Sequence, residues 1–113
     1  MIIYHKNQIE EFKDIDACAI ASHPQTDKDI NCFMATISGR YPDSGSVVNM
    51  ERKELAYIQK GSGVLVVEGE EVKLNEGDLV LIEKGEKYHW DGNMTIFISC
   101  APAWHPEQHK CVE

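Results

Sequence analysis

A carboxylate, a phenol and an imidazole are the side chains whose types and spacing could do chemistry in this chain. Glu54 opens the segment ELAYIQK, and Tyr88 and His89 follow the turn within GDLVLIEKGEKYHW, residues 77–90. A carboxylate close to an imidazole can act as an acid/base pair, because histidine titrates near neutral pH. The sequence leaves open whether Tyr88 or His89 faces Glu54, since a slip of one residue turns a strand side chain to the opposite face.

The strand that carries Glu54 is expected to turn this side chain toward the interior. Glu54, Ala56 and Ile58 share one face because strand side chains alternate, and the other two are apolar. A buried carboxylate is costly without a partner, so Glu54 should meet a ligand or a donor. The alternative is a carboxylate at the rim, solvated or paired with Arg52 or Lys53.

Short strands with glycine turns must position these residues. Gly61, Gly69, Gly77 and Gly85 lie eight residues apart, and Val, Leu and Ile fill the segments between them. This spacing is typical of an antiparallel sandwich or barrel, and closure of such a sheet removes its exposed edges. The predicted strands are 31–38, 46–50, 54–60, 64–68, 71–74, 79–82, 87–90 and 94–100. The predicted tight turns are 61–63, 68–70 and 91–93. The fold class is therefore all-β, a small antiparallel barrel or double-sheet jelly roll.

The two ends of the chain differ from this central region. The helical spacing of Ile9, Phe12 and Ile15 predicts a short N-terminal helix. Trp104 is expected to anchor a tail that runs over the barrel surface. The 113 residues have the size of one domain. We divide it into an N-terminal edge strand, helix and loop (1–30), the barrel (31–100) and the C-terminal tail (101–113).

Composition restricts the partners of the protein. The formal charge of −8 argues against nucleic acids, whose binders carry basic patches, and against anionic membranes. No apolar run approaches the ~20 residues that span a bilayer, and the N-terminal segment lacks the pattern of a signal peptide. The four cysteines include no C-x-x-C pair. We expect a cytoplasmic protein with reduced thiols.

Residues 31–100 resemble the RmlC-like cupin superfamily, in particular its small single-domain members. The first cupin motif ends in a Glu, six residues and a Gly, as Glu54, LAYIQK and Gly61 do here. The second motif begins with a Gly, five residues and P-x-G. Gly77, DLVLI and the triplet 83–85 match it, with Glu83 where the family favours Pro. The resemblance implies a cupin barrel with a small-molecule site inside.

The sequence departs from the family in the residues that bind metal. Metal-bearing cupins hold a transition metal with three histidines and one glutamate, two of the histidines forming an H-x-H pair in the first motif. The matching segment 46–54, SVVNMERKE, contains no histidine. In the second motif, strict counting places Tyr88 at the histidine position, whereas His89 followed by three residues and Asn93 fits the end of the motif.

The donors that are left predict no firmly bound metal. Glu54 and His89 remain, and Asn49 and Glu51 could add oxygen ligands if a divalent transition metal binds. His105 and His109 form a separate two-histidine pattern, which would share one face of a helix but lacks a third ligand.

Three functions fit these observations. The favoured one is a cupin that binds a sugar or a carboxylic acid in its barrel, with metal-independent acid/base activity of the isomerase type. The alternatives are a metal-dependent enzyme such as a dioxygenase with a degenerate site, and a non-catalytic dimeric binding module. A homodimer is expected, with MIIYH (1–5) and NCFMATI (31–37) as pairing edges. The predicted catalytic residues are Glu54, Tyr88 and His89. The predicted ligand-binding residues are Asn49, Glu54, Ile58, Tyr88 and His89.

Overall fold

Nine β-strands make up most of the computed structural model, which describes residues 1–113. The strands are β1 (Glu10–Ile15), β2 (Cys18–Ser22), β3 (Asn31–Tyr41), β4 (Ser46–Asn49), β5 (Lys53–Val67), β6 (Glu70–Asn75), β7 (Leu79–Ile82), β8 (Lys87–Ala101) and β9 (His109–Val112). Two 3-10 turns, Lys6–Gln8 and Pro106–Gln108, complete the regular elements. No helix of the protein is both long enough and apolar enough to cross a lipid bilayer.

The long strand β8 lies at the centre of one curled antiparallel sheet. One edge of β8 pairs with β3 and then β4, and its other edge pairs with β5. Alternate residues of β8 point into the core, from Tyr88 to Cys100, and between them lie Trp90, Met94, Ile96 and Ile98. This alternation gives the sheet an apolar concave face. The all-β prediction is confirmed, although β1 and β9 each have a single neighbouring strand, so the sheet keeps free edges.

Two of the three predicted tight turns are wrong. Residues 61–63 lie within β5 and residues 91–93 lie within β8, so that each of these strands runs unbroken for 15 residues. Gly63 and Gly92 are direct partners across the two strands, and a Cβ on Gly92 would lie 2.5 Å from the Gly63 Cα. These glycines therefore permit a close approach of two backbones instead of a reversal. The third turn, 68–70, is correct and joins β5 to β6 through Gly69.

The predicted N-terminal helix is also wrong, because its residues form a strand. Residues 10–15 pair with β2, from Glu10 opposite Ser22 to Ile15 opposite Cys18. So few residues form a stable helix poorly on their own, whereas the edge of β2 offers backbone partners. Phe12 consequently follows a two-residue alternation and lines a cavity on the concave face.

Neither of the two segments expected to pair in a dimer is a free strand edge. Residues 1–5 form no strand. Residues 31–37 belong to β3, which has β2 on one side and β8 on the other. The C-terminal tail does pack against the core through Trp104, and its last residues add β9 to the edge of β4.

We predict that Gly92→Ala destabilises the protein more than Gly69→Ala does. Both glycines have positive φ, 143° and 81° respectively, but only Gly92 has backbone atoms within 3 Å of an added Cβ. The backbone conformation alone should cost about 1 kcal/mol in Gly69→Ala, and the steric overlap should raise the loss to ~3 kcal/mol or more in Gly92→Ala. Urea unfolding of the two variants measures this difference. Equal losses would contradict the close-approach role of Gly92.

Candidate functional site

Glu54 lies on the concave face of β5, where four side chains donate hydrogen bonds to its carboxylate, the longest from the Cys100 thiol at 4.0 Å. Its Oε1 accepts from Asn49 Nδ2 at 2.8 Å and from the hydroxyl of Tyr88. Its Oε2 accepts from Arg52 Nη2 at 2.9 Å, and this ion pair is almost completely buried. The expected partner for the inward carboxylate is thus present. The solvated rim position of the alternative is wrong because Glu54 is buried, but the pairing with Arg52 that the alternative named is found.

The strand register decides between Tyr88 and His89. Val47 and Val67, the partners of Tyr88 in β4 and β5, flank it, and Tyr88 is 3% exposed on the concave face. His89 points to the other face of β8, beside Arg40 and Glu68. The structure does not bring His89 to Glu54. The predicted Glu54–His89 pair is wrong, because consecutive strand residues face opposite sides.

Arg52 has the least satisfied side chain of the site. Its Nη2 donates to Glu54 and also to Asn49 Oδ1 at 3.0 Å. Its Nε and Nη1 are buried without a hydrogen-bond partner, and they carry three of the five N–H hydrogens of a guanidinium group. The guanidinium carbon lies 5.5 Å from the centre of the Trp104 ring, within range of a cation–π contact. A buried cation with free donors is a favourable partner for an oxygen acceptor.

Asn49 connects this cluster to the C-terminal strand. Its Oδ1 accepts from Gln108 Nε2 at 3.1 Å and from His109 Nδ1 at 2.9 Å, in addition to Arg52. An amide oxygen only accepts, so the His109 proton lies on Nδ1. Gln108 and His109 were not among the predicted site residues. Their role depends on the pairing of Asn49 with His109 between β4 and β9, and only the WHPEQH pattern pointed to this segment.

A cavity of about 420 Å³ opens beside the cluster. Arg52, Glu54, Tyr88 and His109 contribute to one part of its wall. Apolar and aromatic side chains make up much of the rest; among these are Phe33, Ile37, Trp90, Ile98 and Trp104. A few polar groups in a mostly apolar pocket of this volume are typical of small-molecule sites.

Burial keeps the neighbours of the ion pair uncharged. Desolvation raises the pKa of Tyr88 well above its ordinary value, and the adjacent carboxylate of Glu54 raises it further. Desolvation lowers the pKa of His109 and raises that of Cys100 to about 12. Near neutral pH the phenol, the imidazole and the thiol are therefore neutral, and Cys100 is a poor nucleophile.

Ile58 and Glu51, two other predicted residues, lie outside the cluster. Ile58 is fully buried in the core, further along β5, and does not line the cavity. Glu51 is exposed and lies 3.4 Å from His105 Nε2. Asn49 is buried and contacts Glu54, but Glu51 is not brought to it as a second oxygen ligand.

The donor set does not fit the transition metal that the family resemblance implies. No group of three or more His, Cys, Asp or Glu side chains is arranged to hold a metal ion. Of the four possible ligands, Glu54 and Asn49 are hydrogen-bonded to Arg52, and His89 and Glu51 point elsewhere. A metal would have to displace the guanidinium group, so we derive no chemistry through a metal.

Comparisons with known proteins agree with this architecture. The cupin domain family model matches residues 46–96. The whole chain superposes on Pac13 of Streptomyces, described as a nucleoside dehydratase, with a TM-score of 0.89 and 18% identity, covering 100% of this chain and 92% of that one. KdgF of Halomonas superposes with a TM-score of 0.69 and 13% sequence identity, over 90% of this chain and 94% of KdgF. CapF of Staphylococcus aureus is described as a capsular polysaccharide assembling protein. It superposes with a TM-score of 0.76 and 13% sequence identity, over 93% of this chain and 34% of CapF. A search of curated protein sequences finds no match.

The curled antiparallel sheet with a cavity on its concave face defines a jelly-roll barrel protein. Residues 46–96 match the cupin domain family model, and the whole chain has the fold of the cupin proteins on which it superposes. At these low identities the solved structures establish the fold, and the activity must be argued from the site itself.

We predict that Arg52→Met destabilises the protein strongly and that Arg52→Met/Glu54→Gln recovers part of the loss. The single substitution leaves a buried carboxylate without its ion-pair partner, which should cost about 3–5 kcal/mol. The second substitution removes this charge, while the amide oxygen can still accept from Tyr88 and Asn49. Urea unfolding of both variants measures the recovery. A double variant as unstable as the single one would show that Glu54 needs no charged partner.

Proposed function

We propose that this cupin binds a small polar ligand, a sugar or a carboxylic acid, in the cavity beside Glu54. Glu54 and Tyr88 then act as a metal-independent acid/base pair in a reaction of the isomerase type. The observation that carries this proposal is the buried hydrogen bond between the Tyr88 hydroxyl and Glu54 Oε1 at the cavity wall. Burial of both groups is expensive, and a function in proton transfer explains why they occur together.

The directions of the hydrogen bonds assign a role to each partner. The Tyr88 hydroxyl donates to Glu54 and accepts from Asn49 Nδ2 at 3.1 Å, so its proton is held in one direction. The raised pKa of Tyr88 keeps the phenol protonated, which suits a proton donor. Glu54 supplies the accepting oxygens. One residue can thus give a proton to the ligand while the other takes one.

Two structural relatives support a ligand that contains a sugar. Pac13 is described as a nucleoside dehydratase, and variants of it have been solved with uridine. CapF is described as a capsular polysaccharide assembling protein. The cavity of about 420 Å³ is large enough for a molecule of nucleoside or monosaccharide size. A nucleoside such as uridine is therefore a reasonable first probe for this site.

We predict that Glu54→Gln and Tyr88→Phe keep ligand binding but lose proton transfer. Ligands are first found by saturation-transfer NMR with a panel of nucleosides, monosaccharides and sugar acids. The protein-catalysed exchange of their carbon-bound hydrogens with D2O is then followed by proton NMR. Loss of a positioned acid or base should slow this exchange by about 10²–10⁴-fold.

Tyr57→Phe is the matched control for this experiment. Tyr57 lies on the convex face of β5 and is 43% exposed, so the same loss of a hydroxyl should leave exchange unchanged. Exchange by Glu54→Gln at the wild-type rate would remove Glu54 from the reaction.

We also propose a homodimer, now through the convex face of the sheet instead of the strand edges first expected. Leu55 lies opposite Leu81, and Tyr57 lies opposite both Leu79 and Phe97; all five side chains are at least 39% exposed. A contiguous exposed apolar patch of this kind is typical of an interaction surface. Localisation in the cytoplasm stays a prediction.

We predict that Leu81→Lys shifts the protein from dimer to monomer. A charge at the centre of an apolar interface would be buried without a partner, which should weaken association by ~2 kcal/mol or more. Sedimentation velocity at micromolar concentration measures the assembly state. Val72→Lys, at an exposed apolar position on β6, serves as the control. A monomeric wild-type protein would exclude this dimer.

A further inference from the structure

The unpartnered N–H groups of Arg52 could donate hydrogen bonds to an oxygen atom of the ligand. Nη2 already donates to Glu54 and Asn49, and the hydrogens on Nε and Nη1 have no acceptor although the side chain is only 1% exposed. Buried N–H groups without partners cost free energy, and on a cation this cost is larger. A ligand that brings an oxygen to these hydrogens removes the cost when it binds.

The charges around the cavity disfavour an anion in this position. Among the Asp, Glu, Lys and Arg side chains that line the cavity, Arg52 is the only cation, whereas Asp14 and Glu54 are both acidic. The positive charge of Arg52 is balanced by Glu54 at 2.9 Å. A carboxylate ligand would add a further negative charge to a wall that is already negative, in a protein with a formal charge of −8. A neutral oxygen acceptor satisfies the free N–H groups without this repulsion.

A second polar group of the cavity suits hydroxyl donors. The hydroxyl of Tyr41 donates to Asp14 Oδ2, and both residues line the cavity. A carboxylate can accept about four hydrogen bonds, so Asp14 keeps acceptor positions for ligand hydroxyls. Arg52 and Asp14 both line the cavity, so its wall has one residue with unpartnered donors and one with spare acceptor positions.

We propose that Arg52 binds the carbonyl oxygen of an uncharged, hydroxyl-bearing ligand, such as a sugar in its keto form, in preference to a carboxylate. This inference rests on the proposed function and selects between its two ligand classes. It also gives Arg52 a role in the reaction. When Glu54 removes a proton from the carbon next to the carbonyl, the C–H electron pair forms a C=C bond and the carbonyl π electrons move to oxygen. The N–H groups of Arg52 stabilise the negative charge on that oxygen. The Tyr88 hydroxyl returns a proton to the opposite face of that carbon and is reprotonated by Glu54, to which it is hydrogen-bonded. This completes the isomerisation without an oxidant or reductant.

Three matched four-carbon probes test this preference. L-Erythrulose has a ketone and stays acyclic in water, erythritol has a hydroxyl in place of the ketone, and erythronate has a carboxylate. Each is titrated into ¹⁵N-labelled protein to tens of millimolar, and the Nε–H resonance of Arg52 is followed with the backbone amides. We expect erythrulose to shift this resonance and to bind at least ~10-fold more tightly than the other two, the effect of one good hydrogen bond to a charged group.

Arg52→Lys tests whether the guanidinium group itself makes the contact. Lysine keeps the positive charge for Glu54 but lacks the planar donor geometry, so erythrulose should lose its advantage over erythritol. Arg40→Lys is the control, since Arg40 donates to the Pro42 and Gly45 carbonyls outside the cavity. Backbone amide spectra verify that both variants are folded.

The outcomes separate this inference from the proposed function. Tighter binding of erythronate than of erythrulose would overturn the carbonyl preference, while a small-molecule site would stand. An erythrulose affinity that is unchanged in Arg52→Lys would also overturn it. Failure of all three probes to perturb the cavity residues would count against both.

Discussion

The burial of Glu54 is the constraint on which the rest of the site depends. A carboxylate inside an apolar barrel must have donors, and this one has Arg52, Asn49 and Tyr88. Each donor comes from a different part of the fold: Arg52 precedes β5, Asn49 ends β4 and Tyr88 is the second residue of β8. The carboxylate therefore ties three segments together, and any ligand in the cavity meets a polar group whose geometry is already fixed.

The C-terminal strand β9, which follows residues 31–100 in the sequence, adds further contacts to the cluster around Glu54. The pairing of β9 with β4 sets His109 opposite Asn49, so that Gln108 and His109 both donate to the Asn49 side-chain oxygen. The orientation of the Asn49 amide follows from these contacts, because its oxygen meets only donors and its nitrogen meets the acceptors Glu54 and Tyr88. The tail thereby helps to orient the donor that holds Glu54.

Local alternation predicted part of this arrangement, and long-range pairing decided the remainder. The shared face of Glu54 and Ile58 was readable from spacing, as was the all-β class from the repeated glycines. The role of Gly92 was not readable, because a glycine for a turn and a glycine for a close approach look alike until its partner Gly63 is known. The choice between Tyr88 and His89 depended on register in the same way. Arg52 was considered only as a rim partner, since nothing local signals that a charged side chain beside a strand will be buried.

The guanidinium group of Arg52 takes the position beside Glu54 that a metal ion would otherwise need. In metal-bearing cupins, the cation that faces the glutamate of the first motif is a transition metal, whereas in this chain Glu54 faces Arg52. A guanidinium group stays charged at any physiological pH and directs N–H groups at oxygen, so it can stabilise a developing negative charge without coordination chemistry. Because 46–54 contains no histidine, this segment offers no imidazole ligands that would help a metal ion to displace the guanidinium group. The missing histidines and the buried Arg52 thus both act against a metal at Glu54.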